Sequence, residues 1–128
     1  MKPKSHIFGK AAESLATAYL RKKGYRILHR NMRLAGGELD LIVQDRQTLV
    51  FVEVKARRSK SHGGAPYTLT SSKKLRLIKL AAQYLAQRQI SQRACRFDVV
   101  LCHGDLGQPL ELIHIEDAFE IPGEDIRW

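Results

Sequence analysis

Thr48-Leu49-Val50-Phe51-Val52-Glu53-Val54-Lys55-Ala56-Arg57 is the stretch that decides the fold. It is rich in β-branched and aromatic residues, the composition of a strand. Strand periodicity puts Val50, Val52 and Val54 on one face and Phe51, Glu53 and Lys55 on the other. Two charges in so apolar a strand are expensive unless something compensates them. A second strand, Glu38 to Gln44, precedes it after a Gly36-Gly37 turn. There Glu38, Asp40 and Ile42 share a face opposite Leu39, Leu41 and Val43. Asp45-Arg46-Gln47 suits a hairpin link between the two strands. A hairpin folded about Arg46 brings Asp40 level with Glu53, with Cβ atoms about 5 Å apart if directly opposite. Carboxylates that close repel each other. A hard divalent cation, Mg²⁺ or Mn²⁺, relieves the repulsion through oxygen ligands.

Working outward, Tyr25 to Arg30 reads as a first strand. Gly9 to Lys23 reads as a helix with an apolar stripe of Ala12, Leu15, Ala16, Tyr19 and Leu20. Lys22-Lys23-Gly24 gives it a cationic last turn and a glycine cap. Glu13 lies at the edge of that stripe, sharing a face with Ala16 and Leu20, where an acid needs a partner. Arg58 to Thr70 reads as a mobile basic loop. Ser71 or Ser72 caps a second helix running to about Gln89, with Leu75, Ile78, Ala82 and Leu85 as its buried face. Strands at Arg96 to Cys102 and Leu110 to Ile115 follow. The helix between the third and fourth strands makes a β-α-β crossover, so that pair is expected to be parallel and right-handed. The expected class is α/β. It comprises a single domain with a mixed five-stranded sheet, flanking helices and the order α-β-β-β-α-β-β. The core spans about residues 8–115, and an acidic tail runs through 116–128.

The chain has 128 residues, enough for one domain that folds without a disulfide or metal staple. Cys95 and Cys102 fall on a strand and read as small buried side chains. The five histidines lack paired zinc-ligand spacing. No apolar run is long enough for a membrane span. Met1 to Lys10 is polar and basic without the apolar stretch of a signal peptide, so a cytoplasmic protein is expected. The net charge is +9, unevenly spread. Residues 1–96 hold 21 of the 22 basic residues and 5 of the 13 acidic ones. No acid lies between Glu53 and Asp98, where eleven Lys and Arg side chains fall. Such one-sidedness points to a polyanionic partner.

Gly37-Glu38-Leu39-Asp40-Leu41-Ile42 followed by Phe51-Val52-Glu53-Val54-Lys55-Ala56-Arg57 resembles the PD-(D/E)xK nuclease superfamily. Ala12-Glu13-Ser14-Leu15-Ala16, Tyr19-Leu20, Gly24-Tyr25, Arg30-Asn31, Lys73-Lys74-Leu75-Arg76 and Arg96-Phe97-Asp98-Val99-Val100 resemble the small bacterial YraN-like family of predicted endonucleases. The resemblance covers about residues 8–102. It implies a restriction-endonuclease-like fold, akin to archaeal Holliday-junction resolvases. It also implies Asp40 and Glu53 as metal-binding acids, Lys55 as the catalytic lysine, Glu13 as the helical glutamate and the Val54 carbonyl as a further ligand. Leu39 stands where the nominal motif has proline, and the second helix has no Gln-x-x-x-Tyr pattern.

The expected function is therefore hydrolysis of DNA phosphodiester bonds with Mg²⁺ or Mn²⁺, selective for structures such as junctions or flaps. Arg57, Arg58, Lys60, Lys73, Lys74 and Arg76 would grip the flanking phosphates. No recognition-helix, zinc-finger or aromatic RNA-binding pattern is visible, which favours reading shape over sequence. Two alternatives stand beside it. One is a nucleic-acid-binding module on a nuclease fold without turnover. The other is an interaction protein whose basic face meets an acidic protein or RNA. A homodimer follows only from the resolvase-like resemblance.

Overall fold

The computed structural model describes residues 4–58, 67–105 and 107–120. Its elements run α1 (Lys4–Lys22), β1 (Arg26–Leu34), β2 (Gly37–Asp45), β3 (Thr48–Arg57), α2 (Ser71–Gln87), β4 (Cys95–His103) and β5 (Glu111–Ile115). The five strands form one sheet in chain order, β1-β2-β3-β4-β5. All neighbours are antiparallel except β3 and β4, which pair in parallel across the α2 connection. The expected mixed α/β architecture and its element order are those of the structure.

Alternation along the central strands divides the core in two. Ile42, Phe51, Phe97 and Val99 pack with Leu77, Leu80, Ala81 and Tyr84 of α2. Leu41, Val43, Val50, Val52 and Val100 pack with Ala12, Ala16 and Leu20 of α1. The helices therefore cover opposite faces, the arrangement a sheet with two apolar sides demands. Gly24, at φ 102°, ends α1 in the left-handed conformation that glycine adopts without strain. The Tyr25 N–H then donates to the Leu20 carbonyl at 2.9 Å.

Several boundaries differ from the sequence reading. β1 extends past Arg30 to Leu34 because Met32, Arg33 and Leu34 pair with Leu39, Glu38 and Gly37, although the polar Asn31 and Arg33 hide the continuation. Thr70, not Ser71 or Ser72, caps α2, its hydroxyl accepting the Lys73 N–H at 3.2 Å. The buried face of α2 is Leu77, Leu80, Ala81, Tyr84 and Leu85, and Leu75 is 52% exposed. An apolar-rich helix offers two overlapping stripes, and the sheet selected the one carrying Tyr84. The loop expected at 58–70 and the tail from 116 lie largely outside the described residues.

One buried charge organises the α1 side. Asp98 is 1% exposed. Its carboxylate accepts from Arg96 Nε at 2.8 Å, Arg96 Nη2 at 3.0 Å and the Asp117 N–H at 3.0 Å, and lies 2.7 Å from His114 Nε2. Arg96 also reaches Asp45 and the Tyr25 hydroxyl. Burial alone would raise the Asp98 carboxyl; its contacts with His114, Arg96 and the Asp117 N–H outweigh that and hold it below the usual carboxylate range. Its stabilisation is thus present above the ordinary carboxylate pKa and lost as pH falls through the depressed one. Asp98→Asn is expected to lower stability by about 3 kcal/mol at neutral pH, because Arg96 loses its main charge partner. The difference shrinks in strongly acidic buffer, which urea denaturation at both conditions measures. An equal loss at both would mean that the charge pair is not the cause.

Candidate metal centre

The β2–β3 hairpin pairs Asp45 with Thr48 and continues in register to Leu41 and Val52. The ladder ends there; continued by one step, the same register would set Asp40 opposite Glu53. The Asp40 carboxylate turns onto the neighbouring strand, where Oδ2 accepts the Val54 N–H at 2.8 Å. Glu13 arrives from α1 and Glu38 from the start of β2. One carboxylate oxygen from each of Glu13, Glu38 and Asp40 lies within 4.8 Å of the others. Asn31, held at φ 51° inside β1, donates through Nδ2 to Glu13 Oε2 and Glu38 Oε1, both at 3.1 Å. Arg33 Nη2 sits 3.4 Å from the other Glu38 oxygen.

Three acids converging on one point raise the energy of the ionised state. The Asp40 carboxyl is pushed up to about 7, first by burial and then by the Glu53 charge, with Glu13 and Glu38 adding to it and the Val54 N–H opposing. Burial also raises Glu53, while the cations of Lys73, Arg76 and Lys55 pull it back. The cationic start of α2 therefore faces the acidic end of the sheet. The phenol of Tyr67 is raised by burial and by Glu53 and Asp40. Its hydroxyl is buried without a hydrogen-bond partner among the described residues.

The donor set suits a hard cation. Ligand oxygens in one octahedral Mg²⁺ shell stand about 3 to 4 Å apart, so a small inward movement of these carboxylates reaches that spacing. The trio differs from the set expected from sequence. Glu13 and Asp40 belong to it; Glu38 joins them, and Glu53 stays outside, close enough to act on Asp40. Glu38 was visible as a face-mate of Asp40, yet a glutamate after a glycine turn reads as solvated. Asn31 falls in the Arg30-Asn31 pair of the family resemblance, which assigns it no role at the site. Val54 contributes its N–H to Asp40.

Of the expected phosphate contacts, Lys73 and Arg76 act on Glu53, and Arg58 is exposed. Arg57 lowers the Tyr67 phenol from the end of β3. Lys74 lies over the Phe119 ring at 5.9 Å. Lys60 falls outside the described residues. Lys73 and Lys74 occupy the first turn of α2, which holds no acid. Cations there oppose the helix dipole and favour an anionic partner.

Fold and site together define a small α/β protein with a carboxylate cluster at one end of a mixed sheet, beside a cationic helix start. The chain belongs to the uncharacterised protein family UPF0102, whose model matches residues 12–102. It is 46% identical over 114 residues to a UPF0102 protein of Pelotomaculum thermopropionicum, covering 88% of this chain and 95% of that one. It is 49% identical over 94 residues to one of Herminiimonas arsenicoxydans, covering 73% and 75%. Among solved structures, it is similar to Pyrococcus furiosus SfsA in complex with Ca²⁺. That match has TM-score 0.42 and 21% identity over 91% of this chain and 65% of the other. Among the described residues no helix is long and apolar enough to cross a membrane.

A raised Asp40 keeps its proton in the folded chain through a pH range where the unfolded chain has lost it. Its stabilisation is therefore present below the ordinary carboxylate pKa and falls as pH rises towards about 7. Asp40→Asn is expected to stabilise the metal-free protein in mildly alkaline buffer by about 2 kcal/mol, the linkage value halved for partial exposure. In acidic buffer the gain disappears. Melting curves at the two conditions check this, and a variant less stable than the parent in alkaline buffer would contradict the crowding of charge.

Proposed function

We propose that this protein hydrolyses phosphodiester bonds in nucleic acid, DNA foremost, with Mg²⁺ or Mn²⁺ held by Glu13, Glu38 and Asp40 beside Glu53. The observation that carries this reading is the meeting of two opposite surfaces at one sheet end. A carboxylate cluster in which burial first, and then neighbouring acids, disfavour full ionisation adjoins Lys55, Lys73 and Arg76, which act directly on Glu53. A phosphate diester with its cation suits both surfaces at once, because the cation answers the carboxylates and the lysines and arginine answer the phosphate.

The bound cation would supply a water of lowered pKa and a Lewis acid at the phosphate. The chain's own residues supply the rest. Asn31 and the Val54 N–H fix the carboxylates, so little reorganisation is needed when they take up charge. Lys55 follows Glu53 by two residues on the same strand face and brings its ammonium to the edge of the cluster. There it neutralises charge gathering on the phosphate oxygens. Glu53, raised by burial yet countered by three cations, is suited to hold or pass a proton at that edge. Lys73 and Arg76 position the flanking backbone, and Arg57 and Arg58 extend the cationic surface beyond β3.

A panel of linear, flapped and four-way DNA with Mn²⁺ tests the reading. Lys55→Met is expected to lower single-turnover cleavage by about 100-fold or more and to leave DNA affinity nearly unchanged. Cleavage equal to that of the parent would remove Lys55 from the chemistry. A parent protein that binds the panel but cleaves none of it would instead make the chain a nucleic-acid-binding module.

A further inference from the structure

A groove of about 540 Å³ lies between the β1–β2 turn and α2. Its floor is apolar: Leu75, Leu80 and the open backbone of Gly36. Arg76 and Lys79 stand on its rim, with Gln83 further along the helix. Leu75 is 52% exposed, one of two large apolar side chains so exposed among the described residues; the other, Ile113, belongs to β5. Arg76 lines the groove and also acts on Glu53, so one guanidinium joins the two sites. Glu38 follows Gly36 by two residues, at the start of β2. Neither Arg76 nor Lys79 forms an ion pair among the described residues.

We propose that this groove receives an unpaired nucleotide of the substrate strand, adjacent to the phosphate presented to the carboxylates. This rests on the hydrolase reading above and narrows its substrate to nucleic acid with a single-stranded segment at the cut. An apolar floor has nothing to offer a duplex, whose base faces are already stacked and whose outside is phosphate. An unstacked base brings a flat apolar face, and its sugar-phosphate link brings negative charge. The groove provides the matching pair: leucine side chains for the base and two cations one turn apart along α2 for the backbone. Its volume falls within the roughly 300–1,000 Å³ of small-ligand sites, room for a nucleotide and not for a helix. A neutral peptide would use the floor but leave both cations unanswered. Gly36 leaves this wall without a side chain: a Cβ there would stand in ordinary contact with Leu80 Cδ2, at 3.6 Å, and a longer side chain would extend over the groove floor.

The test is binding in chelator, where no cleavage enters. Fluorescence anisotropy compares a blunt DNA hairpin with the same hairpin carrying a short single-stranded extension. The extension is expected to tighten binding about 10-fold, the scale of one stacked base. Leu75→Ala and the groove-filling Gly36→Leu should each abolish most of that gain. Blunt-hairpin affinity and melting temperature should stay unchanged in the exposed-site variant Leu75→Ala. Equal affinity for the two hairpins would overturn the proposal, as would a gain retained in both variants. So would a parent that sediments as a dimer and a Leu75→Ala protein that sediments as a monomer, since the groove would then join copies of the chain. Failure of the cleavage panel leaves this comparison standing, and failure of this comparison leaves cleavage standing.

Discussion

The ladder between β2 and β3 fixes where Asp40 and Glu53, the two acids these strands carry to the site, can be. Its closing pair, Asp45 and Thr48, sets the register, and side chains alternate with a period of two. A slip of one residue would send Ile42 and Phe51 to the wrong face and carry Asp40 and Glu53 away from each other. The apolar positions enforce the register, because both faces of these strands are buried against helices. The acids at the far end are thus placed by hydrophobic packing rather than by any attraction of their own. Asp40 then converts that placement into a fixed orientation by taking the Val54 N–H.

Charge is distributed unequally over the two ends of the sheet. On the α1 side, Asp98 is fully compensated by Arg96, His114 and a backbone N–H, and its carboxyl is held low. At the end bearing Glu13, Glu38 and Asp40, compensation is incomplete: Asp40 is driven up to about 7. A buried polar network satisfied at one end and strained at the other is the pattern expected where function sets the terms of stability. The Tyr67 hydroxyl, buried near the same acids and unpartnered among the described residues, belongs to the strained end.

The parts legible in the sequence are those governed by local period. Val50, Val52 and Val54 announce a strand, Gly24 ends a helix, and the hairpin arithmetic from Asp40 to Glu53 matches the observed register. The parts that were not legible depend on distant partners. β1 reads as ending at Arg30 because Asn31 and Arg33 mask a continuation that only β2 reveals. Leu75 looks like core on helical spacing, and only the sheet's choice of Tyr84 exposes it. Glu38 gains its place in the trio from Asn31, whose positive φ aims the amide between two acids. Asp98 reads as a mere strand residue until Arg96, His114 and Asp117 close around it.

The central claim is that the cluster of Glu13, Glu38 and Asp40 takes a divalent cation. Mn²⁺ is paramagnetic and broadens the resonances of the groups that bind it, so its titration into isotope-labelled protein, followed at the side-chain carboxyl signals, tests the claim most directly. The account predicts that Glu13, Glu38 and Asp40 broaden first and together, with Glu53 next, while Asp45 and Asp98 at the other end of the sheet persist. Loss of all carboxyl signals in parallel, or first broadening at Glu111 and Glu116, would contradict it.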